Sequence, residues 1–104
     1  MRCITVLYPN QQGVRFDFDY YRRKHAALIL RLYGKAIARY ELRRGIAGPD
    51  GGKPPYVATI NFWIADQQAF DAAQARHAPE LIADVPNFTN THPVIQIDEL
   101  VDQQ

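Results

Sequence analysis

Arg15-Phe16-Asp17-Phe18-Asp19-Tyr20-Tyr21-Arg22-Arg23-Lys24-His25 reads as the opening of the first helix, and the rest of the chain is arranged around it. Asp17 is a suitable N-cap, because its side-chain oxygen can accept from the free N–H groups of the first turn. Asp19 adds negative charge near the positive end of the helix dipole. Phe18, Tyr21, Leu28, Ile29 and Leu32 follow at helical spacing and form an apolar stripe about 100° wide. His25 falls on the same stripe one turn after Tyr21. The sequence therefore puts an imidazole and a phenol together on a face that should be buried. The helix is expected from about Asp17 to Tyr33, with Gly34 as its terminator.

On either side of this helix the pattern changes to strands. Arg2 to Tyr8 is rich in β-branched and aromatic residues and stops at Pro9-Asn10. Ala36 to Ile46 is expected as the second strand and Tyr56 to Ala65 as the third. The glycine-rich connection Ala47 to Pro55 leads into a strand rather than a helix N-terminus, which excludes a phosphate cradle. Asp66 caps a second helix expected to run to about Ala78, with Phe70, Ala73 and His77 along one side. Pro79 is expected to end it and to open a short turn to Val85. A loop, Pro86 to Asn90, precedes the last strand, Thr91 to Val101, with Val94, Ile95 and Ile97 expected inside.

The order is β-α-β-β-α-β. It predicts an α+β, ferredoxin-like fold: one antiparallel sheet with both helices on one face. In the first strand Ile4, Val6 and Tyr8 point one way and Cys3, Thr5 and Leu7 the other. In the third, Tyr56, Ala58, Ile60, Phe62 and Ile64 oppose Val57, Thr59, Asn61 and Trp63. Both faces read as largely apolar, yet two helices cover only one. The uncovered face needs a partner, and a second copy of the chain is the simplest. The expectation is a homodimer whose two sheets pack into a dimeric α+β barrel.

Composition sets the outer bounds. At 104 residues, residues 1–104 are expected to form a single domain. A hydrophobic content of 47%, a charged content of 22% and a net charge of +1 fit a globular protein rather than a disordered tail. Eight of the twelve basic residues lie between Arg22 and Arg44, opposed only by Glu41, while seven acids and two bases follow from Lys53 onward. Because the total nearly cancels, this reads as two oppositely charged surfaces and not as a nucleic-acid site. No apolar run is long enough for a membrane span, so no membrane association is expected. One cysteine, Cys3, excludes an intrachain disulfide and fits a cytoplasmic setting.

Several separated segments together resemble the EthD family, named for a component associated with ethyl tert-butyl ether degradation. They are Leu7-Tyr8-Pro9, Arg15-Phe16-Asp17, Tyr20 to His25, Arg44-Gly45, Pro55-Tyr56-Val57-Ala58, His77-Ala78-Pro79-Glu80, Asp84 to Asn90 and Pro93 to Ile97. The resemblance implies a dimeric α+β barrel. It implies less about chemistry, since relatives with this barrel include cofactor-independent monooxygenases, muconolactone-type isomerases, polyketide-type cyclases and members with no established activity.

His25 is the first candidate for chemistry, because an imidazole serves as acid or base near neutral pH and burial favours its neutral, basic form. Tyr21 can hydrogen-bond to it or donate to a developing oxyanion. The plainer alternative is a buried pair whose members satisfy each other. Asn87 is placed to hold a carbonyl and Phe88 to wall a pocket. His77 and Tyr56 complete the expected substrate-binding set. His92 should be exposed, and Phe62 and Trp63 belong to core or interface. No two histidines have the spacing that puts two imidazoles on one helix or strand face, so no metal site is expected. There is no serine, Cys3 has no adjacent base, and no dinucleotide or flavin fingerprint appears, so no cofactor is expected. Two functions remain open. One is a cofactor-independent enzyme, monooxygenase-like or an isomerase or cyclase, acting on a small hydrophobic or aromatic molecule. The other is a non-catalytic binding protein using the same pocket.

Overall fold

The computed structural model describes residues 1–104. β1 (Arg2–Pro9), β2 (Ile37–Arg44), β3 (Tyr56–Ile64) and β4 (Val94–Glu99) form one antiparallel sheet in the order β2-β3-β1-β4. The two strands richest in apolar residues, β1 and β3, therefore take the centre. Their register sets Ile4 opposite Phe62, Val6 opposite Ile60 and Tyr8 opposite Ala58. Directly opposed residues share a face, so these six line the side that the helices cover.

The first helix, α1, starts where expected. Asp17 Oδ1 accepts from the Tyr20 backbone N–H at 2.9 Å. An α-helical turn, Phe18–Tyr20, passes into a π-helical segment, Tyr21–His25, and then into Ala26–Tyr33. Gly34 follows at φ +53°, a conformation open to glycine. The π-helical turn is absent from the sequence expectation. It closes with the Ala26 N–H donating to the Tyr21 carbonyl, five residues back.

The second helix, α2, is longer than its sequence suggests. Asp66 caps it, accepting from the Ala69 N–H at 3.1 Å, but it spans Gln67–Asp84 and passes straight through Pro79. Proline removes one donor, and the carbonyl left without it belongs to Ala75, four residues earlier. Ala75 and Pro79 both face solvent, so water can take that acceptor. Beyond Pro79, Leu81 and Val85 pack against the core, which favours continuing the helix. His77 accordingly lies within the helix and does not end it.

Two further expectations change. β4 is an edge strand shorter than expected, and Val94, Ile95 and Ile97 are 50%, 59% and 65% exposed in the single chain. Ile95 and Ile97 lie opposite Val6 and Ile4, on the helix side of the sheet, but the helices leave them largely open. The open face of the sheet is not uniformly apolar either. Cys3, Leu7, Val57 and Trp63 share it with a hydrogen-bonded polar row. Arg43 bridges Glu41, Thr59 and Asn61; Asn61 donates to Thr5 at 2.8 Å; Thr5 donates to Asp98; and Gln96 donates to Asp98 at 2.7 Å. The Arg39 guanidinium lies 4.3 Å over the Trp63 ring.

Gly45, just past β2, explains itself sterically. A Cβ there would collide with the Tyr56 carbonyl oxygen, so only glycine lets the two segments run this close.

Phe88, wholly buried, is the keystone of the aromatic packing. Its ring centroid lies 4.7 Å from His25, 5.0 Å from Tyr21, 5.4 Å from Phe16 and 5.9 Å from Tyr8. Phe88→Ala is expected to lower unfolding free energy by about 3–5 kcal/mol, measured by urea denaturation. A loss below about 1 kcal/mol would show that these rings do not depend on it.

Candidate functional site

Between α1, α2 and the covered face of the sheet lies a cavity of about 230 Å³. Its walls are mostly aliphatic and aromatic, with Ile4 and Val6 from β1, Ile29 from α1, Phe62 from β3 and Phe70 and Leu81 from α2. Tyr8, Tyr21 and His25 also line it, and each is less than 5% exposed.

Two of these groups stand at the ends of the π-helical turn. It widens the helix where Tyr21 and His25 stand four residues apart, and both turn inward. Their rings stand 5.2 Å apart. The intervening Arg22, Arg23 and Lys24 face solvent.

His25 is held from behind. Its Nδ1 lies 2.8 Å from Asp84 Oδ2. Asp84, the last residue of α2, also accepts from the Tyr20 hydroxyl at 2.7 Å and from the Asn87 side-chain amide at 2.9 Å, both on Oδ1. A carboxylate at a helix C-terminus faces the negative end of the dipole. Burial adds to that penalty by pushing the Asp84 carboxyl up, but the hydrogen bonds from Tyr20, Asn87 and His25 outweigh it and hold the group below its ordinary value. Asp84 is therefore ionised at neutral pH and can only accept. It follows that His25 Nδ1 carries the proton and Nε2 carries the lone pair.

Burial pushes His25 down, and the Asp84 carboxylate offsets this only in part. The imidazole is neutral at pH 7. Its Nε2 has no protein partner and is not sealed from the cavity. The hydroxyls of Tyr8 and Tyr21 also have no protein partner, and Tyr8 lies near enough to raise the cost of ionising Tyr21. Burial pushes both phenols up, Tyr21 strongly, so both stay protonated and act as donors. The third cavity phenol, Tyr33, is occupied, donating to Gln74.

The structure thus brings His25 and Tyr21 together on the cavity wall. Phe88 supports the imidazole from below without lining the cavity. Asn87 is exposed, and its amide is used on Asp84. His77 is half-buried on α2, 3.1 Å from Glu80, and Tyr56 is half-buried at the start of β3 opposite Pro9; neither lines the cavity. Two site groups were missed from sequence. Tyr8 reads as a core strand residue like its neighbours. Asp84 sits beyond the expected helix end; continuing the helical period past Pro79 and noting Asp84 three residues before Asn87 would have flagged it. No three His, Cys, Asp or Glu side chains gather in a metal-binding group. No helix is long and apolar enough to cross a membrane.

Comparison with known proteins gives a consistent picture. The model of the EthD domain matches residues 13–92. An EthD-like protein from Ralstonia eutropha JMP134 is 35% identical and superposes with a TM-score of 0.90, over 99% of this chain and 94% of that one. An ethyl tert-butyl ether D (EthD) family protein from Bacillus halodurans C-125 is 18% identical with a TM-score of 0.73, over 97% and 99%. A dimeric ferredoxin-like protein from an uncultured marine organism is 9% identical with a TM-score of 0.60, over 100% and 98%. The last two likenesses concern the fold alone. No curated protein matches.

The pair has a thermodynamic signature. His25 is lowered in the fold, so the unfolded chain takes up the proton first as pH falls below about 6.5. Its stabilising effect is complete above that pH and is lost on acidification. Asp84 is also lowered, so its contribution is present above about 4 and is lost as pH falls further. Both act in the same direction. The urea midpoint is expected to fall from pH 7.5 to 5 and more steeply below 4, and His25→Gln is expected to flatten the first part. An unchanged slope in that variant would remove His25 as its source.

Proposed function

The chain belongs to the EthD family, and from that premise we propose that it binds a small hydrophobic carbonyl compound and removes a proton from the carbon beside the carbonyl, without a cofactor. One observation carries this reading: a buried imidazole lines an apolar cavity with its Nδ1 2.8 Å from the Asp84 carboxylate and its Nε2 without a protein partner.

The division of roles follows from the geometry. His25 Nε2 is the base. Tyr21, one turn earlier, donates to the oxygen on which negative charge develops, and its high cost of ionisation keeps that proton in place. Asp84 is a positioning residue that stabilises the imidazolium once His25 has taken the proton. The resulting enolate is electron-rich. With dioxygen it can proceed as in a monooxygenase-like oxidoreductase, one O₂ converting a methylene to a carbonyl with release of water and no external reductant. Without dioxygen the same step serves an isomerase or cyclase.

We propose further that a second copy covers the open sheet face. The half-buried Trp63, Leu7 and Val57 support it, as does the dimeric ferredoxin-like relative of similar fold. Multi-angle light scattering is expected to give about twice the 11.9 kDa chain mass, and Trp63→Asp to return it to one chain. A wild-type monomer at micromolar concentration would refute the dimer.

The chemical reading is tested by hydrogen–deuterium exchange of a panel of small ketones in D₂O, followed by NMR. The wild-type protein is expected to accelerate exchange beside the carbonyl. His25→Gln should lower the rate about 10²–10⁴-fold, and Tyr21→Phe about 10²-fold. The rate should rise with pH through a value below the ordinary imidazole range and then level off. If ketones bind but exchange is indifferent to His25→Gln, the non-catalytic binding protein is the correct reading.

A further inference from the structure

We propose that the cavity selects uncharged ring ketones of one or two fused rings and excludes carboxylates of the same size, with the keto oxygen held jointly by the Tyr8 and Tyr21 hydroxyls. The placement of a C–H against His25 rests on the reading above; the charge selection does not.

Size comes first. A volume of about 230 Å³ holds the equivalent of seven or eight waters at about 30 Å³ each. That suits one bicyclic molecule and is below the usual range for larger ligands. Charge comes second. No lysine or arginine lines the cavity, and 14 of its 17 lining residues are hydrophobic. An ionised carboxylate would lose its hydration there and meet no cation in return. The Asp84 carboxylate stands behind His25 and repels a second anion. The basic residues of α1, Arg22 to Lys24, point away to solvent.

The polar groups then define the complement. Tyr8 and Tyr21 present two donors with no protein partner, while His25 Nε2 presents one acceptor. Two donors beside one acceptor fit a ligand with a two-lone-pair oxygen next to an acidic hydrogen. A cyclic ketone with an adjacent CH₂ has both features and no net charge. A hydrocarbon of the same shape would leave both phenols unsatisfied.

The test uses 2-tetralone, 2-naphthoate and tetralin, which are similar in size. Binding to the full chain is measured at pH 7.5 by ligand-observed NMR titration. 2-Tetralone is expected to bind, and 2-naphthoate to bind about a hundredfold more weakly or not at all. Tyr8→Phe and Tyr21→Phe should each weaken 2-tetralone about three- to tenfold, without weakening tetralin. Naphthoate binding as tightly as the ketone overturns the proposal, and so does failure of 2-tetralone to bind. Loss of tetralin and tetralone affinity in parallel in both Tyr→Phe variants overturns the assignment of the two hydroxyls. Tetralone bound with the expected selectivity but without deuterium exchange supports the charge selection and removes the proton-transfer reading instead.

Discussion

The Asp84 carboxylate joins the parts of this structure that the site requires. It ends α2, reaches Tyr20 and His25 on α1, and gathers Asn87 from the turn that follows. An acid at that end of a helix, partly withdrawn from water, is unfavourable by itself. Three donors converging on it reverse the balance, and because the donors come from different elements, the balance holds only when both helices are docked. The same bonds fix the imidazole tautomer. Positioning of the helices and readiness of His25 are therefore one constraint.

Around that anchor, the aromatic residues do what hydrogen bonds cannot. Phe88 touches His25, Tyr21, Phe16 and Tyr8 at once, so the imidazole is gripped by a ring beneath it and by a carboxylate at its edge. The π-helical turn brings Tyr21 and His25 over this ring together. Residues four apart already share a face of an α-helix, and the widened turn keeps the two side chains on the cavity side. Within the turn the Ala26 N–H reaches the Tyr21 carbonyl five residues back, in place of the regular α-helical bond.

How much of this is visible in the sequence depends on how local the cause is. The caps Asp17 and Asp66, the alternation in β1 and β3, and the stop at Gly34 act within a few residues, and each is found where the sequence puts it. The β-α-β-β-α-β order follows from them. Pro79 misleads because the rule against proline concerns one hydrogen bond, whereas the packing of Leu81 and Val85 is decided by the whole fold. Asp84 is only partly legible: Asn87, three residues on, is a local hint, whereas His25 and Tyr20 lie 59 and 64 residues away. Tyr8 looks like its aliphatic neighbours in β1, and only the cavity distinguishes its hydroxyl from their methyl groups. Asn87 is a case between these: its sequence context marks it as important, but its amide faces the carboxylate and not a ligand.

The sheet separates two kinds of surface that would interfere if mixed. Its open face carries a continuous polar row from Arg43 through Asn61 and Thr5 to Asp98, in which nearly every group is answered by a neighbour. The cavity over its covered face is lined by the Tyr8 and Tyr21 hydroxyls, which have no protein partner, and by His25, whose Nδ1 is held by Asp84 and whose Nε2 is free. Unanswered groups in an apolar enclosure are costly, by about 1–3 kcal/mol each when fully sealed. That cost is relieved only by water or by a ligand whose own polar atoms match. A well-packed structural core would have replaced these groups with hydrocarbon or paired them, as Tyr33 is paired with Gln74 a few ångströms away. Two donors and one acceptor left unpaired on a cavity wall without lysine or arginine support the recognition site proposed above. The fold supports it because Asp84 and Phe88 hold His25 in place without drawing on the cavity side of its ring.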